Sequence, residues 1–414
     1  MSSIRKLENK DIEILSKRIW TNAFHSEGVG DEQIEERKGF ANAIINKMDE
    51  SNLFGYFIED QLFGVMILTD YTVNLHLTKA LMGGLRGISV DLMHKKERIA
   101  MNLVKFACDY YKERGACIIA LYPFRTDFYR KMGFGYGTTL KEYKVKPEYV
   151  PNFQSKEHLI YWENSDERQQ ILDCYHIFAD ENHGMCNKLG PDIRKIFSPE
   201  KRIVAYRKNG KVEGYINFSF RTENEYQNYL VIHEFIYITK EAFSELCTFL
   251  NTQSDQFEYI IFQTQDEYLF YNFNNPANGF RSPFNSEYIN FCVSSVGMMY
   301  RIIDIKRYFE VLHNHNFNNQ TFRLKINITD NFFTPNQGST IINFIEGIAT
   351  FNSDNQFDAE INLDVSDFSS LAMGAVNFKT LFKYGLSSIS DAQFVETVER
   401  IFSVPEKPMC NTFF

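Results

Sequence analysis

The sequence predicts an α+β protein in which one mixed-sheet fold occurs twice and a third α/β unit follows. The 414 residues are too many for a single ordinary core. A Tyr and a Gly eight residues apart bracket a hairpin both at Tyr56–Gly64 and at Tyr206–Gly214. From about residue 297 the sequence pattern changes. Apolar and polar residues alternate in Arg323–Thr329 and Ala359–Val365, as in half-buried strands.

The elements of the first copy follow from apolar spacing and turn residues. Their order places a helix between two strands at a length typical of a βαβ-like crossover in a mixed sheet. The predicted elements begin with helices over 11–24 and 31–48, the second with Asp31 as N-cap. Hairpin strands Tyr56–Ile58 and Leu62–Leu68 follow, around the turn Glu59-Asp60-Gln61. Then come a strand over Leu85–Val90, a helix over Ile99–Arg114 with Gly115 at its C-cap, and a strand over Cys117–Leu121.

The second copy repeats the strand and the helix but not the turn between them. We predict a strand over Glu234–Ile238 and a helix over Lys240–Asn251. In the first copy several basic residues separate the strand from the helix, whereas Ile238 leads almost directly into the second helix. A site in that turn can therefore exist only in the first copy. The third unit is expected to close with helices at about 367–373, 378–384 and 390–401.

Composition narrows the class of function. The net charge of −9 and the pI near 5.6 disfavour nucleic-acid binding, which needs a basic face. The seven Cys are scattered without a CxxC pair, which gives no support for a zinc ribbon or redox motif. His313 and His315 lack an indicated third ligand, so no metal site is predicted. We find no signal peptide and no membrane-spanning apolar stretch, and we expect a cytoplasmic protein.

Two stretches of the first copy carry candidate chemistry. Residues 94–101, His-Lys-Lys-Glu-Arg-Ile-Ala-Met, lie between a strand and a helix N-terminus, where free N–H groups and the helix dipole can bind a diphosphate. About thirty residues later comes Phe-Tyr-Arg-Lys-Met-Gly-Phe, residues 128–134. Singly, the first also fits a solvated basic turn and the second a buried core tyrosine. The two together, in this order, favour one site.

That order of strand, basic turn, helix, strand and FYRKMGF resembles the GNAT acetyltransferase superfamily. In that superfamily the pyrophosphate loop has the sequence pattern R/Q-x-x-G-x-G/A, which corresponds to residues 95–100 here. Lys95 stands for Arg or Gln and Ala100 matches, while Arg98 takes the place of the central Gly. That Gly lets the backbone approach the phosphates closely and relaxes the limits on its dihedrals.

The whole chain is more closely similar to the enhanced intracellular survival family. Four segments of the chain parallel motifs of that family. Residues 88–96 parallel its V-A-V-A-P-T-H-R-R run, and residues 133–137 parallel its F-G-Y-G. Residues 299–304 parallel its aromatic-x-R-x-x-D, and residues 408–414 parallel its P-x-C-x-x-x-F terminus. The resemblance implies an α+β fold of two GNAT-like mixed-sheet domains, 1–150 and 151–296, and a sterol-carrier-protein-like α/β domain, 297–414. It also implies a homo-oligomer, a hexamer built from trimers.

The resemblance further implies acetyl-coenzyme A as co-substrate and a small cationic amine as acceptor, with Tyr129 as the acid that protonates the leaving thiolate. It implies that the base is the carboxylate of Phe414, the last residue of the chain. The residues implied to bind the coenzyme are Ile88, Ser89, Val90, Lys95, Lys96, Glu97, Arg98, Ile99, Ala100, Met101 and Phe124.

The sequence leaves three functions open. The first is acetyl transfer to polycationic small molecules such as aminoglycosides or polyamines. The second is the same chemistry on protein lysines. The third is a non-enzymatic protein with a degenerate GNAT pair and a ligand-binding third domain. Arg98 in place of Gly favours the third function, and Tyr129 with the Phe terminus favours the first two.

Overall fold

The computed structural model describes residues 2–163, 167–224, 227–279, 287–351 and 355–413. These residues form two compact units. The first unit combines residues 2–137 with 298–407, and the second combines 138–297 with 408–413. Residues 138–150 thus pack in the second unit. The three-domain division at 150 and 296 stays a prediction of the sequence.

The first unit contains a seven-stranded sheet in the order β1-β2-β3-β4-β5-β14-β6. The strands β4 and β5 are parallel, and one helix, α3, connects them, as the sequence predicts. The elements are β1 (Ser2–Lys6), a helical segment α1 (12–23), α2 (Asp31–Lys47), β2 (Ser51–Ile58), β3 (Gln61–Leu75), β4 (Thr78–Val90), α3 (Ile99–Glu113), β5 (Ile118–Leu121), α4 (Thr126–Arg130), β6 (Gly135–Tyr136) and β14 (Met299–Ile302).

The second unit repeats this plan in a sheet with the order β13-β7-β12-β11-β10-β9-β8. Here β11 and β12 are the parallel pair, and α7 connects them. The elements are β7 (Thr139–Val145), β8 (Leu159–Tyr161), α5 (Arg168–Glu181), α6 (Gly190–Ile196), β9 (Arg202–Lys208), β10 (Lys211–Asn224), β11 (Gln227–Tyr237), α7 (Lys240–Asn251), β12 (Tyr259–Thr264) and β13 (Val293–Val296).

The internal repeat predicted from the sequence is confirmed at the level of register. Tyr56 pairs with Gly64 across the first hairpin, and Tyr206 pairs with Gly214 across the second. Both glycines lie under a crossover helix, because a Cβ on Gly64 would meet Ile99 at 2.5 Å and one on Gly214 would meet Ala242 at 2.9 Å. The two glycines therefore let α3 and α7 pack closely on their sheets.

The rest of the first unit is built on a five-stranded sheet with the order β17-β16-β15-β18-β19. The two predicted strands and three predicted helices each have a counterpart that begins within about five residues of the expected position, and one helix and three strands were not predicted. The elements are α8 (Ile305–Val311), β15 (Phe322–Thr329), β16 (Gly338–Ile345), β17 (Ile348–Thr350), β18 (Ala359–Asp364), α9 (Val365–Ala372), α10 (Phe378–Lys383), β19 (Ser387–Ile389) and α11 (Val395–Phe402).

Two local predictions need correction. Asp31 is not the N-cap of α2; Gly30 holds that position, and Asp31 lies in the first turn, where its carboxylate faces the positive end of the helix dipole. The predicted first helix is helical over 12–23, but its stretch Leu15–Trp20 is wound as a π-helix. Among the described helices, none is long and apolar enough to cross a membrane.

A buried ion pair links β14 to the loop after β15. The Arg301 Nη2 atom donates to Asp330 Oδ2 at 2.7 Å, and both side chains are fully buried. Asp330 also accepts a hydrogen bond from the Phe333 backbone N at 2.8 Å. Gly133 leaves room for the guanidinium, because a Cβ there would lie 1.5 Å from Arg301 Nη1. The pair therefore ties the seven-stranded sheet to the five-stranded sheet within the first unit.

We expect Asp330→Ala to lower the free energy of unfolding by about 3–5 kcal/mol, because it leaves the Arg301 charge buried without its carboxylate. Asp49, exposed in the turn between α2 and β2, provides a matched control, and Asp49→Ala should change the free energy by no more than about 0.5 kcal/mol. Denaturant titration followed by circular dichroism measures both. Equal stability of the two variants would contradict the structural role of the pair.

Candidate functional site

The candidate site lies where the parallel strands β4 and β5 separate. The last paired residues are Gly84 and Ala120, and beyond them β4 continues against β3 alone. Ile88, Ser89 and Val90 all lie on this unpaired edge. Gly87 has φ +60° and interrupts the β3–β4 register there. These three residues, which the resemblance implies bind the coenzyme, thus have strand conformation on an edge of β4 that β5 does not pair with.

A short 3-10 turn, Leu92–His94, leads from β4 toward α3. Asp91 begins this turn and accepts a hydrogen bond from the Met93 N at 3.0 Å. Its other carboxylate oxygen lies 2.5 Å from Arg18 Nε. Burial acts to raise the pKa of Asp91, but these hydrogen bonds outweigh it, and the pKa is lowered. Asp91 is therefore a fixed anion that holds the start of the basic turn.

The basic turn has a left-handed backbone at two positions. Lys96 has φ +68°, and Arg98 has φ +61° and ψ +11°. Arg98 is the position at which the superfamily motif has Gly, so the chain keeps the conformation that a Gly adopts readily. For a residue with a side chain this conformation costs about 1–2 kcal/mol. Such strain persists only where the surrounding structure enforces it, and it clusters at functional sites.

The turn leads directly into the N-terminus of α3. Arg98 is the N-cap residue, and its side chain makes no capping hydrogen bond, so the first N–H groups of the helix, from Ile99 onward, are not capped by this side chain. Lys95, Lys96 and Arg98 are exposed around these groups. Glu97 is also exposed, and its carboxylate contacts His94 Nδ1 at 3.0 Å. Uncapped N–H groups, the helix dipole and three cations together form a site suited to a diphosphate.

The proposed acid, Tyr129, lies on α4 in an aromatic environment. The residue is only 4% exposed, and its ring lies within 6 Å of those of Phe124, Phe128 and Phe134. Burial raises the pKa of its hydroxyl, which therefore stays protonated at neutral pH. Phe124 is 72% exposed beside it. The tyrosine is thus a protonated group held among aromatic rings, with one exposed ring at its side.

One hydrophobic cluster brings the candidates together. Val90, Ile99, Leu121 and Tyr129 belong to the same core cluster, and Ile88 and Ala100 pack against it. The strand edge, the helix N-terminus and the tyrosine therefore share one packed core within the first unit. Met101 is partly exposed on the first turn of α3. Phe414, the proposed base, lies outside the described residues.

Sequence reasoning missed Arg18 and Asp91. The only sequence signal is that Asp91 replaces an Ala of the family run, and the distance of 73 residues between the two gave no reason to pair them. Among the described residues, no group of three or more His, Cys, Asp or Glu side chains is arranged to hold a metal ion.

The corresponding turn in the second unit is closed by its own side chains. Thr239 is the N-cap of α7 and accepts a hydrogen bond from the Ala242 N at 3.3 Å. The Thr239 hydroxyl donates to Glu213 at 3.3 Å, which places a carboxylate at this helix N-terminus. An anion is therefore disfavoured at this helix N-terminus, and the restriction of the site to the first copy stays a prediction.

Comparisons with known proteins identify the domains. Family models described as "Acetyltransferase (GNAT) domain" match residues 3–137 and 190–302, and one described as "Sterol carrier protein domain" matches residues 308–411. No curated protein matches the chain. The matched models support an acyltransferase enzyme over the non-enzymatic alternative.

Solved structures share the fold over the full length. A GCN5-related N-acetyltransferase from Anabaena variabilis ATCC 29413 is 15% identical, with complete coverage of both chains and a TM-score of 0.83. A probable N-acyltransferase from Enterococcus faecalis V583 is 19% identical with complete coverage of both chains and a TM-score of 0.79. Eis1 from Mycobacterium abscessus is 15% identical, also with complete coverage of both chains, and has a TM-score of 0.76.

The left-handed turn predicts an unusual order of stability among variants. At Arg98 a Gly fits the backbone and a β-branched Val does not, so Arg98→Val should be less stable than Arg98→Gly by about 1–2 kcal/mol. Lys105, exposed in the interior of α3, is the matched control. There Val should be more stable than Gly by a few tenths of a kcal/mol, because Gly is the poorer helix former. Denaturant unfolding measures all four; the same order at both positions would contradict the left-handed backbone.

Proposed function

We propose, from the premise that this chain is an acyltransferase of the GNAT fold with the domain order of the enhanced intracellular survival family, that it transfers an acetyl group from acetyl-coenzyme A to an amine of a small cationic molecule. The observation that carries the proposal is the left-handed turn at Arg98, which leads into the uncapped N-terminus of α3 beside the open edge of β4. The hexamer implied by the resemblance and the cytoplasmic location expected from the sequence stay predictions.

The residues of the turn fit the diphosphate of a coenzyme. Backbone N–H groups between Lys96 and Met101 would bind its oxygens, and the exposed Lys95, Lys96 and Arg98 would balance its charge. Glu97 would contribute only its backbone, because its carboxylate contacts His94. Unlike the Gly of the motif, Arg98 has a Cβ that limits how closely the backbone approaches the phosphates, and the charge of its guanidinium would compensate for this. Phe124, which is exposed beside Tyr129, would pack against the coenzyme.

The edge of β4 would position the reacting carbonyl. Ile88, Ser89 and Val90 have strand conformation without a partner on the β5 side, so an extended pantetheine arm can pair with them as an added strand. One backbone N–H from this edge would donate to the thioester oxygen and stabilise the charge that develops there. The bound co-substrate supplies the activated acetyl group, and the transfer to the amine is direct.

Two groups would move protons. The acceptor amine has a pKa near that of Lys, about 10.4, so it must lose a proton before it attacks. The Phe414 carboxylate is our candidate for the base. Tyr129 keeps its proton at neutral pH and would donate it to the leaving sulfur. The acidic net charge of −9 suits a cationic acceptor and favours a polyamine or an aminoglycoside over a neutral amine.

Replacing the acid tests the chemical step. Tyr129→Phe keeps the buried ring but removes the proton donor, so we expect kcat to fall by about 10²-fold or more, with the Kd for coenzyme A unchanged. Because the pKa of Tyr129 is raised, wild-type turnover should show no loss from its ionisation up to pH ~10. Thiol release is measured with polyamines, aminoglycosides and lysine peptides as acceptors. An unchanged rate in Tyr129→Phe removes this residue from the mechanism, and turnover of peptides alone would replace the proposed acceptor class.

Deleting Phe414 moves the terminal carboxylate and removes the proposed base. We expect turnover to fall by about 10²-fold or more, and coenzyme A to bind as in the intact chain, because its proposed ligands lie between residues 88 and 124. A chain extended beyond Phe414 by a short Gly-Ser tag should behave in the same way, whereas the same tag at the N-terminus is the control. Normal turnover by the C-terminally tagged protein would rule out a carboxylate base at this position.

A further inference from the structure

We propose that the second unit is a receptor for the C-terminal tail, residues 408–413, and that Gln265 is its main positioning residue. The consequence for catalysis rests on the proposed role of the Phe414 carboxylate, since a base must be held in place to act. The receptor itself rests only on contacts within the second unit, to which the tail belongs.

Gln265 makes a two-point contact with Cys410. Its Oε1 atom accepts from the Cys410 N at 2.6 Å, and its Nε2 atom donates to the Cys410 O at 2.5 Å. Gln265 is 9% exposed and Cys410 is fully buried. One side-chain amide thus satisfies both backbone groups of a buried tail residue, and each would cost about 1–3 kcal/mol if left unpaired.

Lys188 holds the next carbonyl of the tail. Its Nζ atom donates to the Asn411 O at 2.9 Å and forms an ion pair with Glu234 at 2.7 Å. The Tyr215 hydroxyl donates to the other oxygen of Glu234 at 2.7 Å. The Lys188 side chain is only 2% exposed, so its ammonium depends on these partners and the tail carbonyl is one of them. The chain thus places a buried cation against its own C-terminal segment.

The remaining tail residues are also held. The Met409 N donates to the His183 O at 2.8 Å, and Lys195 donates to the Phe413 O at 3.1 Å. Thr412 is fully buried, and its hydroxyl lies 3.4 Å from that of Tyr175. Contacts thus extend from residue 409 to residue 413. A terminus whose backbone is bonded along its length is the reverse of the frayed end that termini usually form.

The receptor lies at the part of the repeat that carries the site in the first copy. The last β11–β12 pair is Ile232 with Phe262. Glu234 lies two residues after Ile232, and Gln265 lies three residues after Phe262. In the first copy, Ile88–Val90 follow the last β4–β5 pair in the same way. The second copy, whose helix N-terminus is capped by Thr239, uses these positions for the tail.

The test compares Gln265→Leu with Gln256→Leu, the same change at an exposed position of the same unit. Hydrogen exchange of the C-terminal peptide, measured by mass spectrometry in the full-length chain, reports the tail directly. We expect at least tenfold faster exchange around Cys410 in Gln265→Leu and no change in Gln256→Leu. Turnover is then measured for both variants and for Gln265→Leu in a chain that lacks Phe414. If Gln265→Leu does not fold, Gln265→Asn, whose shorter side chain does not span both backbone groups, takes its place.

Tail exchange that stays slow in the Gln265 variant overturns the receptor. Faster exchange together with a kcat lowered at least tenfold, and a KM for acetyl-coenzyme A within twofold, supports the receptor and its catalytic role. Faster exchange with normal kcat supports the receptor but contradicts the Phe414 base, so the two proposals fail separately. In the chain without Phe414, Gln265→Leu should cause no further loss of turnover; an additional loss would overturn the claim that Gln265 acts through the tail.

Discussion

The separation of β4 from β5 beyond Gly84 and Ala120 is the constraint on which the site depends. Because the two strands stop pairing there, the backbone of Ile88–Val90 keeps hydrogen-bonding groups that the sheet does not use. Helix α3 connects the two strands, and Gly64 lets its first residue, Ile99, pack closely on the sheet. The unpaired edge of β4 and the N-terminus of α3 are neighbours along the chain, and our proposal assigns the pantetheine arm to the first and the diphosphate to the second.

The two GNAT-like copies share a topology but differ at the turn that leads into their crossover helices. Basic residues in the left-handed turn of the first copy leave the N-terminus of α3 free of a side-chain cap. In the second copy the turn is almost absent, Thr239 fills the cap and Glu213 adds a negative charge. The buried polar groups that the second copy keeps, Lys188 and Gln265, bond to the chain's own terminus. Our proposals thus give the two copies different ligands, a coenzyme in the first and the chain's own tail in the second.

Much of this architecture could be predicted from the sequence because it depends on local patterns. The equivalence of Tyr56–Gly64 and Tyr206–Gly214, the βαβ crossover and the bounds of Lys240–Asn251 follow from turn residues and periodicity, and the structure confirms them. The Arg301–Asp330 and Arg18–Asp91 pairs could not be predicted, because nothing local links residues 29 and 73 positions apart. The left-handed φ of Arg98 could not be predicted for another reason. A residue with a Cβ disfavours this conformation, and only the surrounding turn enforces it.

Hydrogen exchange with and without coenzyme A tests the central claim, that the coenzyme binds at the first turn and not at the second. Saturating coenzyme A should slow exchange of backbone amides in peptides covering 88–101, where the edge of β4 and the N-terminus of α3 would bond to it. Peptides covering 233–243, the matching segment of the second copy, should exchange at the same rate in both samples. Protection of the second segment, or of neither, would contradict the assignment of the site.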